Sequence, residues 1–68
     1  MEQDKIIKLD QFLKFLGIAS TGGQAKLMIL DGKVKVNGII ETRRGKKLTA
    51  EDQVTIGNKT FKVGDNIV

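Results

Sequence analysis

The chain contains no cysteine, no histidine, no tyrosine and no tryptophan. Without cysteine there is neither a disulfide framework nor a thiolate metal site. Without histidine the commonest metal ligand and the commonest general base are both missing. The usual nucleophile–base pairs cannot be assembled from what remains. Ser20 is the single serine, and its position suits a helix cap better than catalysis. At 68 residues the chain reads as one domain, with no room for a large cofactor pocket and its supporting shell. Long apolar runs are also absent. The longest, Leu27 to Leu30, has four residues, where a membrane span needs about 20. The acidic start Met1-Glu2-Gln3-Asp4-Lys5 is followed by no stretch of signal-peptide length. These absences predict a soluble, cytoplasmic, non-enzymatic protein that needs no cofactor and touches no membrane; a monomer is the expected state, though no residue pattern fixes it.

What the chain does have is localised positive charge. Its net charge is +4. From Lys33 to Lys47 six basic residues stand against Glu41 alone, a local sum of +5, while the other six basic and seven acidic residues sum to −1. The whole excess therefore sits in one short segment. Such a concentration is the electrostatic footprint of a polyanion-binding surface. Charge alone leaves the plainer reading, a solvated basic face, open beside it.

The hydrophobic pattern changes period along the chain. Leu9, Phe12, Leu13 and Leu16 follow the i, i+3, i+4, i+7 spacing of one buried helix face, with Asp10 expected as N-cap and Gly17 as the stop. Phe15 falls off this stripe and is expected to cover the edge of the core. In Thr21-Gly22-Gly23-Gln24 the threonine hydroxyl and glutamine amide fit a reciprocal capping box for a second helix; Ser20 is a rival cap. Ala25, Met28, Ile29 and Gly32 continue on one face, and Gly32 should end the helix in a left-handed conformation. The few residues between the helices predict a helical hairpin or corner.

After Gly32 the period falls to two. Lys33-Val34-Lys35-Val36 alternates charged and apolar, so the valines should point inward and the lysines outward. Asn37-Gly38 is the strongest short hairpin signal, since both central residues of a type I′ turn need positive φ. Ile39 and Ile40 open the return strand. A two-residue turn sets Val36 opposite Ile39 and puts Ile40 on the lysine face, which requires either a bulge or an exposed Ile40. Glu41 to Lys47 reads as a polar loop, Leu48 as a return to the core, and Ala50-Glu51-Asp52 as a solvated turn. Gln53 to Ile56 and Thr60 to Val63 read as strands joined at Gly57-Asn58, with Val54, Ile56, Phe61 and Val63 inward. Gly64 to Val68 is expected to be a loose tail. The fold class is α+β: a helical hairpin followed by a small antiparallel sheet of short strands.

Few other signals carry chemistry. Gly22-Gly23 lacks the Lys-Ser/Thr ending and preceding strand of a P-loop. As a glycine-rich helix start it could still hold a phosphate, or could simply allow close helix packing or a tight entry turn. Phe12, Phe15 and Phe61 fall in or beside apolar stripes and are assigned to the core. Any RNA bound would then be held through phosphates and shape, as for structured RNA, rather than by stacking on aromatic rings.

Several segments together carry a family likeness: Lys8-Leu9-Asp10-Gln11-Phe12-Leu13, Ala25-Lys26, and Asp31-Gly32-Lys33-Val34-Lys35-Val36-Asn37-Gly38. From about Lys8 to Val63 the chain resembles the alpha-L RNA-binding domain named after small-subunit ribosomal protein four. Gly22-Gly23 and Arg43-Arg44-Gly45-Lys46-Lys47 are most similar to its short stand-alone bacterial members. The resemblance implies an RNA surface on the helices and the strand region after them, with Lys8, Lys26, Lys33, Lys35, Arg43, Arg44, Lys46 and Lys47 as contacts. Many members have an arginine where this chain has Gly22, which shifts weight from the helices to the loop. The family's catalytic fusions have no counterpart in these residues.

The expectation is thus a single RNA-binding domain, residues 1–68 with a core at about 8–63, that binds structured RNA, rRNA or tRNA, and is associated with the ribosome. The alternative is an adaptor that binds the ribosome or an acidic protein through protein contacts, with exposed Ile39 and Ile40 as anchors.

Overall fold

The computed structural model describes residues 6–66. The chain enters through a two-residue strand, β1 (Ile7–Lys8), and passes directly into helix α1 (Leu9–Phe15). Leu9, Phe12 and Leu13 form the buried stripe that the sequence spacing predicts. The stop is a Schellman arrangement. Gly17 takes φ +78°, its N–H donates to the Lys14 carbonyl at 3.0 Å, and the Ile18 N–H donates to that of Leu13 at 3.1 Å. Helix α2 (Gly22–Leu30) ends the same way. There Gly32 has φ +75°, and the N–H groups of Gly32 and Lys33 donate to Ile29 and Met28.

The helix starts differ from expectation. Thr21 caps α2, accepting the Gln24 N–H at 3.1 Å. The other half of the box is displaced by one residue, because the Gln24 side-chain oxygen accepts from the Ser20 N–H at 2.6 Å and from the Ser20 hydroxyl at 2.8 Å. Ser20 is thus a partner in the cap rather than a rival to Thr21. At α1 the N-cap position belongs to Lys8, which makes no side-chain cap, and Asp10 lies inside the first turn. A distant segment satisfies the free N–H groups there instead: Leu9 donates to the Lys46 carbonyl at 2.8 Å and Asp10 to that of Arg44 at 3.1 Å.

The strands β2 (Val34–Val36), β3 (Ile39–Ile40), β4 (Lys47–Leu48), β5 (Gln53–Ile56) and β6 (Lys59–Lys62) follow. They form a four-stranded antiparallel sheet in the order β3-β2-β5-β6, and β4 pairs with β1 in a second, two-stranded sheet. Asn37 and Gly38, with φ of +54° and +84°, supply the type I′ turn. Val36 pairs with Ile39 and Lys35 with Ile40 in regular register, so there is no bulge and Ile40 is exposed. Gly57, at φ +64°, gives the β5–β6 turn the positive first central residue of type II′.

The core joins Leu9, Phe12 and Leu13 of α1, Ala25 and Ile29 of α2, Val34 and Val36 of β2, Leu48, Val54 and Val63. Edge strand β3 contributes nothing to it. The segment after Val63 is not a loose tail within the described residues. Val63–Asn66 forms one helical turn, α3. Val63 is buried and donates its N–H to the Asp52 carbonyl at 2.9 Å, and the Gly64 N–H reaches the Ala50 carbonyl at 3.0 Å. A Cβ on Gly64 would stand 2.9 Å from both the Ala50 Cβ and its carbonyl oxygen, so only glycine permits this approach. Ile67 and Val68 lie outside the described residues.

Candidate nucleic-acid interface

The segment from Glu41 to Lys47 has little regular structure, yet its backbone is tied down along its length. The Glu41 N–H donates to the Val34 carbonyl at 3.0 Å, which fastens the segment to β2 where β3 ends. The Lys46 N–H donates to the Arg43 carbonyl at 3.2 Å, closing a turn over Arg44 and Gly45. The carbonyls of Arg44 and Lys46 then accept the first N–H groups of α1. Lys47 continues into β4 rather than belonging to the loop. Each peptide held in this way lowers the entropy that its side chains must lose on binding a ligand.

The β1–β4 ladder sets Lys8 directly opposite Lys47. Like charges facing each other across strands repel, and among the described residues no salt bridge relieves this pair, the single ion pair there joining Arg43 to Glu41. Periodicity missed β1 because two residues are too few to show a period, and Lys8 reads equally well as the start of the helix.

Arg43 is placed differently from the other cations. Its Nε donates to Glu41 Oε2 at 2.9 Å and its Nη2 to Oε1 at 3.4 Å, while its backbone N–H also reaches Oε2 at 3.1 Å. The side-chain hydrogen bond from Arg43 is the main reason that the Glu41 carboxyl lies below its usual range, and the same bond raises the Arg43 guanidinium. Lys46 adds a smaller attraction on Glu41 and on Asp52. One acid therefore does stand within the basic run, and it holds Arg43.

The remaining candidates lie on other elements. Lys35 projects from the outer face of the four-stranded sheet, between Ile40 and Thr55 in the ladder, and Thr55 and Thr60 share a hydroxyl hydrogen bond of 2.9 Å beside it. Lys33 precedes β2, and Lys26 is exposed on α2. The structure thus joins Lys8 to the Arg43–Lys47 run through direct pairing, while Lys26, Lys33 and Lys35 sit on α2 and around β2. Gly22 is half-buried, Gly23 is exposed, and a Cβ on Gly22 would meet no neighbour, so close helix packing does not explain Gly22.

Two side-chain roles lay beyond the sequence pattern. Asn37 is more than a turn residue. Its N–H donates to the Gln53 carbonyl at 2.8 Å, its side-chain oxygen accepts the Gln53 N–H at 2.9 Å, and its amide donates to Asp52 at 2.9 Å. Phe15, expected at the edge of the core, is 58% exposed, because among the described residues no element covers that flank of α1. Phe12 is buried and Phe61 half-buried, as expected.

A sequence profile of the S4 domain matches residues 2–64. A protein of Escherichia coli (strain K12) named "Putative RNA-binding protein YbcJ" is 37% identical over 57 residues, covering 84% of this chain and 81% of that protein. A protein of Bacillus subtilis (strain 168) named "Probable ribosome maturation protein RlbA" is 40% identical over 60 residues, with 87% and 84% covered. Among the described residues no helix is long and apolar enough to cross a membrane.

Proposed function

This chain belongs to the S4 domain family, and from that premise we propose that it binds structured RNA, rRNA or tRNA, through phosphate contacts to a basic surface. The observation that carries the reading is the facing pair Lys8 and Lys47 at the base of a backbone-anchored basic segment. The backbone pairing sets two exposed like charges on neighbouring strands, and a polyanion gives them a common counter-charge. Phosphate contact also releases condensed counterions from the nucleic acid, which favours binding at low salt. In this reading Lys8, Arg44, Lys46 and Lys47 form the centre of the contact, with Arg43 available once Glu41 yields it. Lys26, Lys33 and Lys35 extend the surface. Residues 1–68 act as one RNA-binding unit, a cytoplasmic, ribosome-associated monomer without catalytic activity or cofactor. The names of the relatives support RNA and the ribosome as the setting.

The test is a salt titration of binding to an RNA hairpin, comparing the wild type with Arg43→Ala/Arg44→Ala/Lys46→Ala/Lys47→Ala. The slope of log K against log salt should flatten by about 0.7 to 0.9 for each phosphate contact removed. Equal slopes and affinities in two folded proteins would overturn the reading. A second reading, an adaptor for the ribosome or an acidic protein, has one observation in its favour. Ile39 and Ile40 are 72% and 54% exposed on edge strand β3. It predicts that Ile39→Ser/Ile40→Ser abolishes ribosome association while binding to isolated RNA persists.

A further inference from the structure

Beside Lys8, on the far flank from the core stripe, an open groove of about 590 Å³ runs along α1. Its walls are Ile6, Ile7, Lys8, Gln11, Lys14 and Phe15. Three chemistries meet there. The Phe15 ring is largely exposed in a protein whose other two phenylalanines are buried or half-buried, and Ile6 extends the apolar floor. Lys8 and Lys14 supply positive charge, and among the described residues no acid lines the groove. Gln11, between them on the helix, offers an amide that can donate and accept.

An apolar protein ligand would use the ring and the isoleucines but would leave two ammonium groups without partners. A phosphate alone would use the lysines and leave the ring in water. An unpaired nucleotide uses all of them: a base stacks on the aromatic face, the flanking phosphates meet the lysines, and the base edge meets the amide. The volume lies within the ~300–1,000 Å³ of clefts that hold small ligands, and is far too small for a duplex. Through Lys8, which faces Lys47, the groove is also continuous with the basic segment.

We infer that the Phe15 groove is a stacking site for one unpaired nucleotide next to the structured RNA held by the basic segment. The inference rests on the RNA-binding reading above and adds to it a preference for junctions between paired and unpaired RNA.

The test uses two hairpins with the same stem, one carrying a single unpaired 2-aminopurine nucleotide at its end and the other blunt. Wild-type protein should quench the 2-aminopurine fluorescence and bind that RNA more tightly than the blunt one. Phe15→Leu keeps the apolar bulk but loses the ring. It should abolish the quenching and weaken binding to the unpaired RNA by about 5- to 150-fold, the range for loss of one base–aromatic stack. Its affinity for the blunt hairpin and its salt slope should stay as in the wild type. Phe15→Trp should keep both quenching and preference. Wild-type binding to both hairpins with equal affinity and no quenching would overturn the inference and leave the basic-surface reading standing. So would a Phe15→Leu protein that retains the preference. Failure of the wild type to bind either RNA would overturn both.

Discussion

The Arg43 guanidinium is held by the Glu41 carboxylate at 2.9 Å, within the most basic stretch of the chain. The arginine side chain remains 73% exposed while that of its partner is only 13% exposed. Arg43 is therefore presented to solvent with its charge already partly answered. In the proposed interface a phosphate would compete with Glu41 for it. Glu41→Gln removes the competing charge and keeps an oxygen that can still accept the Arg43 N–H. RNA affinity should rise, and the salt slope should steepen by about 0.7 to 0.9 as one further phosphate contact becomes available. Unchanged binding would place Arg43 outside the contact.

Lys8 and Lys47 give a prediction in which stability and binding move in opposite directions. Lys8→Glu converts a repulsive cross-strand pair into an attractive one and adds an acid at the start of α1, where the helix dipole favours it. Stability should rise by up to ~1 kcal/mol, the size of a favourable cross-strand charge pair, while RNA affinity falls. Denaturant melts and binding titrations on the same preparation measure both. A variant that gained stability and kept its affinity would remove Lys8 from the interface.

Asp52 connects three parts of the chain. Its carboxylate accepts the Thr49 N–H at 2.8 Å and the Asn37 amide at 2.9 Å. The Thr49 backbone hydrogen bond, followed by that from Asn37, holds its carboxyl below the ordinary value. A folded-state pKa lower than the unfolded one means that the stabilisation is complete above the ordinary value of about 3.9 and is lost as pH falls through the lower folded value. The melting temperature of the wild type should therefore drop more steeply below about pH 4 than that of Asp52→Asn. Parallel acid limbs would show that these bonds contribute nothing.

Gly64 should be the least replaceable residue after the last strand. Gly64→Ala places a methyl group 2.9 Å from the Ala50 carbonyl oxygen, a backbone atom that cannot turn aside. The cost should be about 1–3 kcal/mol, as for overpacking elsewhere, or several degrees in melting temperature for a domain of this size. Gly45→Ala, where a Cβ would meet nothing within 4 Å, is the control.

The sequence by itself determined the parts whose cause lies within a few residues. Both glycine stops, the Thr21 cap and the Asn37-Gly38 turn follow from local backbone requirements. The stripe Leu9, Phe12, Leu13 and the alternation Val34, Val36 follow from periodic burial. The basic excess from Lys33 to Lys47 needs only counting. Tertiary structure decided everything that depends on which distant backbone supplies a partner. Asp10 was replaced as the cap of α1 because the Arg44 and Lys46 carbonyls arrive there from the segment between β3 and β4. Lys8 joined Lys47 because two strands, each too short to show a period, pair with one another. Gly64 is held because Ala50 comes against it, and Phe15 is exposed because none of the described residues covers it. A hydrogen-bonding group or an apolar ring specifies in the sequence that it can be covered. Which segment covers it is decided only when the whole core closes.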